Sequence, residues 1–282
     1  MTKSFKEATE LDPNTLMIVD SLNLCFRYRG KSKYKEDFMD TVESLRRSYK
    51  AGKVIIGADW GSSSYRKGIY PLYKENRKKL RELQTPAEAE AFKLFFEEYE
   101  RTLQEYQNAA KYPVLRYSKT ECDDICAYIC TTYRRYGVKK IWLISSDKDY
   151  DLLVNEDISR FSYVTRKEVT AANWHTHYDY AQEDHISIKC LMGDASDGVP
   201  GVAGIGPKRA AELVKQYGTA MDIYSSLPIQ SKYKYIKSLN ESEDLILLNY
   251  KLMDLVTYAQ EAIGNENVKD IDKRIEEYVS RN

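Results

Sequence analysis

Nine carboxylates fall in five short groups along this chain: Asp20; Asp59; Glu121, Asp123 and Asp124; Asp147 and Asp149; and Asp194 and Asp197. The densest group, Glu121-Cys122-Asp123-Asp124, puts three acids into four residues. Such a group repels itself if it is brought inward, unless cations neutralise it. The start of a helix also tolerates acids, because the macrodipole favours negative charge there. Capping needs one acid, however, whereas Glu121 and Asp124 lie three apart on one helical face, with Asp123 turned partly aside. Helix cap and ligand cluster both remain open for this stretch taken alone. If the groups meet, a set of oxygen donors without cysteine or histidine selects hard cations, so Mg²⁺ is expected, with Mn²⁺ able to substitute. Two such ions can activate water and stabilise the leaving oxygen of a phosphodiester. No plausible Ser, Cys or His triad offers a covalent route instead.

The elements that position these acids can be read in order. Thr15–Asp20 and Lys53–Asp59 are short apolar runs that each end in an acid, and Lys139–Ser145 runs into Ser146-Asp147-Lys148-Asp149. Pro113–Tyr117 and Ser159–Arg166 are further strand candidates, and helix-prone stretches lie between them. Alternating strands and helices predict a mostly parallel sheet whose carboxyl edge collects the acids, the place where open α/β sheets carry their sites. Asp20, Asp59, Glu121, Asp123, Asp124, Asp147 and Asp149 then converge.

Between Tyr65 and Arg81 the alternation breaks. Arg66, Lys67, Lys74, Arg77, Lys78, Lys79 and Arg81 face the single acid Glu75, interleaved with Tyr65, Tyr70 and Tyr73, while Gly68 and Pro71 interrupt any continuous helix. Cations among aromatic rings suit a phosphate backbone with unstacked bases, and a solvated helical face is the plainer reading. An acidic helix follows from Pro86 to Tyr106. After Asp194 and Asp197, Gly201, Gly204 and Gly206 permit a tight hairpin. Pro207 suits a first helical turn, and Lys208 and Arg209 add charge beside exposed amides that favour an anion. The remainder is helical and tyrosine-rich, with Lys232–Lys237 a second basic stretch.

Bulk composition excludes little. The chain has 282 residues, 43% hydrophobic and 30% charged, with 43 basic and 43 acidic residues, so net charge says nothing about nucleic acid. No apolar run approaches a membrane span, and Met1–Lys6 lack a secretory core, which predicts a cytoplasmic, membrane-free protein. Cys122, Cys126 and Cys130 fall at helical spacing and suit buried packing. A zinc site lacks a fourth ligand nearby. His175, His177 and His185 receive no role.

In order, Ile18-Val19-Asp20-Ser-Leu-Asn23, Gly57-Ala-Asp59, Tyr73-Lys74-Glu-Asn-Arg77, Glu121–Asp124, Ser145-Ser-Asp147-Lys-Asp149, Met192-Gly193-Asp194 with Asp197, and the Gly201–Arg209 hairpin resemble the flap endonuclease/5′ nuclease family, and within it the stand-alone 5′-exonucleases of T-odd bacteriophages. The similarity spans about residues 15 to 260. It implies an α/β fold with a resolvase-like (PIN-like), mostly parallel central sheet and flanking helices. A nuclease core would occupy 1–180, with a helical arch at about 65–110. A helical C-terminal region would occupy 181–282, with a helix-hairpin-helix at about 186–217. The implied activity is two-metal-ion hydrolysis of DNA at flaps and free 5′ ends, in phage DNA replication or repair and, if phage-encoded, in the host cytoplasm. Asp20, Asp59, Glu121, Asp123 and Asp147 resemble the first-ion group, and Asp124, Asp149, Asp194 and Asp197 the second. Lys74 and Arg77 match arch residues that contact the scissile phosphate. Tyr73, Gly201, Gly204, Gly206, Lys208 and Arg209 are expected at the DNA, with K⁺ at the hairpin. The expected partners are flaps, nicks and RNA·DNA hybrids, bound by a monomer. The alternatives are a primer-removing 5′ nuclease and a non-catalytic protein that binds branched DNA. Two residues depart from the family pattern: Cys122 stands where alanine is usual, and Lys148 where glycine is usual, a cation next to two ligands.

Overall fold

The structure is a computed structural model and describes residues 10–281; Met1–Lys6, on which the expectation of no secretory segment rests, lie outside the described residues. Among the described residues six strands are formed: β1 (Asp12–Asp20), β2 (Ala51–Gly57), β3 (Val114–Leu115), β4 (Lys140–Ile144), β5 (Ile158–Ser162) and β6 (Lys167–Val169). In chain order the helices are α1 (Ser21–Cys25), α2 (Tyr34–Ser48), α3 (Ser64–Ile69), α4 (Glu75–Glu82), α5 (Pro86–Ala109), α6 (Cys122–Thr132) and α7 (His185–Met192). They continue with α8 (Pro207–Tyr217), α9 (Ala220–Ser225), α10 (Lys234–Asn240), α11 (Glu243–Met253), α12 (Leu255–Ile263) and α13 (Asn265–Ser280).

The sheet order is β3-β2-β1-β4-β5-β6. β1 to β5 are parallel, and β6 returns antiparallel to β5. The single strand expected over Ser159–Arg166 is therefore the first arm of a hairpin that turns at Arg166, φ +58°. Crossovers run to opposite sides of β1, so the order reverses between β1 and β4, where such sheets open a crevice at their carboxyl ends. Because both faces are covered, β1 and β2 read as continuous apolar runs, and Leu16–Val19 and Val54–Ile56 are all buried.

Contacts divide the chain into two compact units, and along different lines from the expected 1–180 and 181–282. The sheet unit contains the described residues up to Ser63, Thr85–Ala172 and the described residues from Ala259 on; the helical unit contains Ser64–Gln84 and Asn173–Tyr258. The physical reasons are local. β3 is a two-residue edge strand, and α13 covers that edge: Arg274 donates to the Val114 carbonyl at 2.9 Å, and the Val54 amide donates to Tyr278 Oη at 3.1 Å. Conversely, Arg66 is buried in the helical unit and donates to the Leu252 carbonyl at 2.9 Å, and Tyr73 sits in that unit's core. The segment expected as one arch is thus three helices, of which α3 and α4 belong to the helical unit and α5 to the sheet unit.

At the end of β2, Gly57 lets α6 approach the sheet. A Cβ there would lie 2.7 Å from Cys122 Sγ. Gly57→Ala is expected to destabilise the protein by about 1–3 kcal/mol, and adding Cys122→Ala to recover most of that loss. Denaturant midpoints of the two single variants and the double variant check this, and simple additivity would contradict it.

Candidate metal centre

Strand register brings the acids of the sheet unit together. Asp20 pairs in register with Gly57, and Val19 with Ile144, so β1, β2 and β4 end side by side and release Asp20, Asp59 and Asp147 at one edge. Asp20 is buried. Asn23's amide donates to its Oδ1 at 3.2 Å and Ser145 Oγ to its Oδ2 at 3.0 Å. Ser145 Oγ also accepts from the Asp147 amide, and Asp147 Oδ1 accepts from that of Asp149. Asn23 Oδ1 in turn accepts from the Ser146 amide at 2.8 Å, tying the turn after β1 to the turn after β4.

The Glu121–Asp124 stretch resolves its two readings. Glu121 is the residue before α6, in extended conformation, and its side chain makes no cap; Asp59 Oδ1 takes that role by accepting from the Cys122 amide at 2.8 Å. Glu121 and Asp124 are buried, the latter only 1% exposed, while Asp123 is half-buried, and one oxygen from each lies within 4.8 Å of the others. Three carboxylates that close, with helix capping done elsewhere, form a donor set that fits a hard divalent cation. Cys122 is not part of it. Its thiol hydrogen-bonds with that of Cys126 and is fully buried, which holds its pKa well above the usual value, so it stays protonated and packs.

Electrostatics carry the same message. Burial, and then the neighbouring Asp59, push Asp20 up to about 7. A carboxyl that resists ionisation because of adjacent acids ionises readily once a cation neutralises them.

In the helical unit, Asp194 accepts from the Ser196 amide and hydroxyl at 2.8 and 2.7 Å. Burial alone would raise its pKa, but these bonds and Lys189 hold it below the usual range. Asp197 pairs with Arg77 at 2.5 Å and Lys74 at 3.7 Å. Lys74 has φ +58°, a left-handed conformation that strains a lysine, held by its own amide's 2.7 Å bond to the Asp197 carbonyl. Tyr73 is a correction: only 2% exposed, its ring packs in the helical core and its hydroxyl donates to Asp197 Oδ2, so it offers no free face to DNA. Helix periodicity hid this, because tyrosines in a basic stretch serve core and surface equally well.

The hairpin forms between α7 and α8. Its glycines allow close approach: a Cβ on Gly201 would fall 1.9 Å from the Met192 carbonyl oxygen, and Gly204 has φ +80°. Lys208 and Arg209 are exposed at the start of α8, after Gly206 and Pro207. Asn249, fully buried, donates to the carbonyls of Cys190 and Pro200, a clasp behind the hairpin that no sequence signal marked. His185 lies in an aromatic cluster with Trp174, Tyr178 and Tyr180, a packing role. Lys148 is exposed at the start of the turn Lys148–Leu153. Behind that turn, buried Arg160 pairs with buried Asp151 and donates to the Ser145 carbonyl at 3.1 Å. Sequence reasoning missed this pair; the one signal was an arginine inside an otherwise uncharged strand.

Comparisons with known proteins agree along the chain. Residues 15–179 match the family model described as 5′-3′ exonuclease, N-terminal resolvase-like domain, and residues 180–274 the one described as 5′-3′ exonuclease, C-terminal SAM fold. The chain is 35% identical over 272 residues to a flap endonuclease of Escherichia phage T5, covering 95% of this chain and 92% of that protein. It is 29% identical over 252 residues to the flap endonuclease Xni of Shewanella oneidensis, covering 86% and 90%. Among solved structures, the phage 5′-exonuclease bound to zinc superimposes with a TM-score of 0.88 at 35% identity, covering 94% of this chain and 99% of that one. The phage flap endonuclease in a pseudo-enzyme-product complex with DNA and metal ions gives 0.88 at 34% identity, with the same coverage.

The raised pKa of Asp20 has a signed consequence. Protonated Asp20 favours the folded state; that contribution is fully present below the unfolded carboxyl value near 3.8 and is lost as pH rises through about 7. In chelator, Asp20→Asn is expected to melt several degrees above the wild type at pH 8, with the gap narrowing toward pH 5. Melting curves at the two pH values check it, and a gap that is absent or independent of pH would contradict it.

Proposed function

Because the chain belongs to the 5′-3′ exonuclease family, we propose that it is a structure-specific 5′ nuclease that hydrolyses DNA phosphodiesters at flaps and free 5′ ends and requires Mg²⁺. The observation that carries this reading is the close carboxylate group Glu121, Asp123 and Asp124, of which Glu121 and Asp124 are buried, with Asp20, Asp59 and Asp147 released at the same sheet edge. Under this reading, Asp20, Asp59, Glu121, Asp123 and Asp147 hold the first ion, and Asp124 and Asp149 serve the second. Asp194 and Asp197 of the helical unit are assigned to that second group as well. When bound, the two divalent cations supply activation of water and neutralise charge on the leaving oxygen.

The remaining roles fall to the chain itself. Lys74 and Arg77 are cations already held in place by Asp197, so they meet a scissile phosphate with little reorganisation and stabilise the charge that develops on it. Asp197 thereby orients both groups. The Gly201–Arg209 hairpin grips duplex backbone through its amides, Lys208 and Arg209, with a monovalent cation such as K⁺ in the same loop. Contacts of this kind fix register without reading bases, so recognition is by DNA structure. The protein is expected to act as a monomer in the cytoplasm, the host's if it is phage-encoded.

With 5′-labelled flap, nicked and RNA-primed substrates in Mg²⁺, Glu121→Gln is expected to slow flap cleavage by about a hundredfold or more, while flap binding in chelator stays within a few-fold. Cleavage at the wild-type rate would sink the ligand assignment. Lys74→Ala is expected to slow single-turnover cleavage by more than tenfold, a loss of about 1.4 kcal/mol. Alanine bears the left-handed backbone no better than lysine, so that strain does not confound the comparison. An unchanged rate would refute the role of Lys74.

A further inference from the structure

Within the sheet unit, between two segments that carry the acids, stands an aromatic side chain that the catalytic reading leaves unused. Trp60 follows Asp59 directly, so their Cα atoms are about 3.8 Å apart. It is 52% exposed. A single exposed apolar residue is ordinary on a protein surface. This one, however, is held from several sides. The Trp60 amide donates to the Thr120 carbonyl at 3.3 Å, and its carbonyl accepts from the Lys119 amide at 2.6 Å, a bridge that pins it beside the segment leading into Glu121. Lys119 makes that bond from φ +59°, a left-handed backbone that strains a lysine. The Arg116 guanidinium lies over the indole, 5.2 Å from the ring centre. Arg116 is itself fixed by three bonds. Two run in parallel to the carboxylate of Glu100 on α5, both at 2.6 Å, and the third goes to the Asp59 carbonyl at 3.0 Å.

An indole backed by a tethered guanidinium has lost rotamer freedom before any ligand arrives, which lowers the cost of stacking on it. The cation occupies one face and draws π density toward itself, which favours an electron-rich ring on the other. Bases within a duplex are already stacked on both sides and offer only their edges, whereas an unpaired base offers a face. The neighbouring acid limits where that base can be, because Asp59 is assigned to the first ion. We propose that Trp60 stacks on an unpaired base of the cleaved 5′ strand beside the scissile phosphate, and that Arg116 is the positioning residue that holds the indole for it. This rests on the reading of the chain as a nuclease that acts on DNA. It adds a contact that recognises unpaired structure at the point of cleavage, where phosphate contacts alone do not distinguish a paired from an unpaired nucleotide.

The test uses the full chain in Mg²⁺, with single-turnover cleavage of a 5′-flap DNA and of the same DNA carrying one abasic nucleotide at each position near the scissile phosphate of the 5′ strand. Trp60→Ala is expected to slow cleavage of the intact flap by about tenfold, the range set by one base stacked on one ring. The wild type should slow by a similar factor at one abasic position, and Trp60→Ala should slow no further there, because the two changes remove the same contact. Trp60→Phe should keep most of the rate, since a ring face remains. Arg116→Met is expected to slow the wild type several-fold and to leave Trp60→Ala no slower than before. If the wild type cleaves no flap, the nuclease reading itself fails. If it cleaves, and Trp60→Ala matches its rate or loses a further tenfold at every abasic position that slows the wild type, the stacking proposal alone falls. Further slowing of Trp60→Ala by Arg116→Met overturns the positioning role.

Discussion

The sheet unit is built around a conflict: carboxylates that repel one another are held close together, partly out of water, at the end of a parallel sheet. Three of them, Asp20, Glu121 and Asp124, are buried. Desolvation, and then repulsion from Asp59, oppose the ionisation of Asp20, whose pKa is raised. A fold under selection for stability alone would spread such groups out. Here the surroundings fix them in place instead. Ser145 and the Asn23 amide hold Asp20, and Asp59 caps α6. Ser21 Oγ donates to the Gly57 carbonyl while its oxygen meets Tyr99 Oη at 2.7 Å, which clamps the ends of β1 and β2 against α5. Buried Arg160 and Asp151 brace the turn after β4. Rigid support of this kind lets a site bind cations without reorganising at the moment of reaction.

The helical unit solves a related problem with opposite signs. Lys74 and Arg77 are drawn to one side by Asp197, and the strained backbone of Lys74 is stabilised by the same residue's carbonyl. A basic stretch that would otherwise be a mobile charged helix is therefore anchored at one carboxylate. Tyr73 and Arg66, buried beneath it, hold it from the other side, with the guanidinium 5.8 Å above the ring.

Much of this was legible in the sequence, because chemistry and periodicity pointed the same way. Short apolar runs ending in acids specified β1, β2 and β4 and the edge they share, since buried parallel strands have no alternation to blur them. Glycines at 201, 204 and 206 marked the hairpin, where Gly201 allows a close approach to Met192 and Gly204 a left-handed backbone. What stayed hidden depends on partners distant in sequence. Tyr73 reads as a stacking ring until Asp197 and the helical core are known. Nothing near Ser64–Gln84 says that it folds with residues beyond Asn173, and nothing near α13 says that it covers β3. Arg160 with Asp151, and Asn249 with the carbonyls of Cys190 and Pro200, are satisfied by geometry that no local pattern encodes.

The central claim is that the buried acids at the sheet edge are a cation site, not a tolerated defect. Calorimetric titration of Mn²⁺ into the DNA-free protein near pH 7, repeated in buffers of different ionisation enthalpy, tests this most directly. The account predicts saturable binding that releases protons, because Asp20 gives up a proton it otherwise holds to about 7. Absence of saturable binding, or binding of equal strength in a protein carrying both Glu121→Gln and Asp124→Asn, would contradict it.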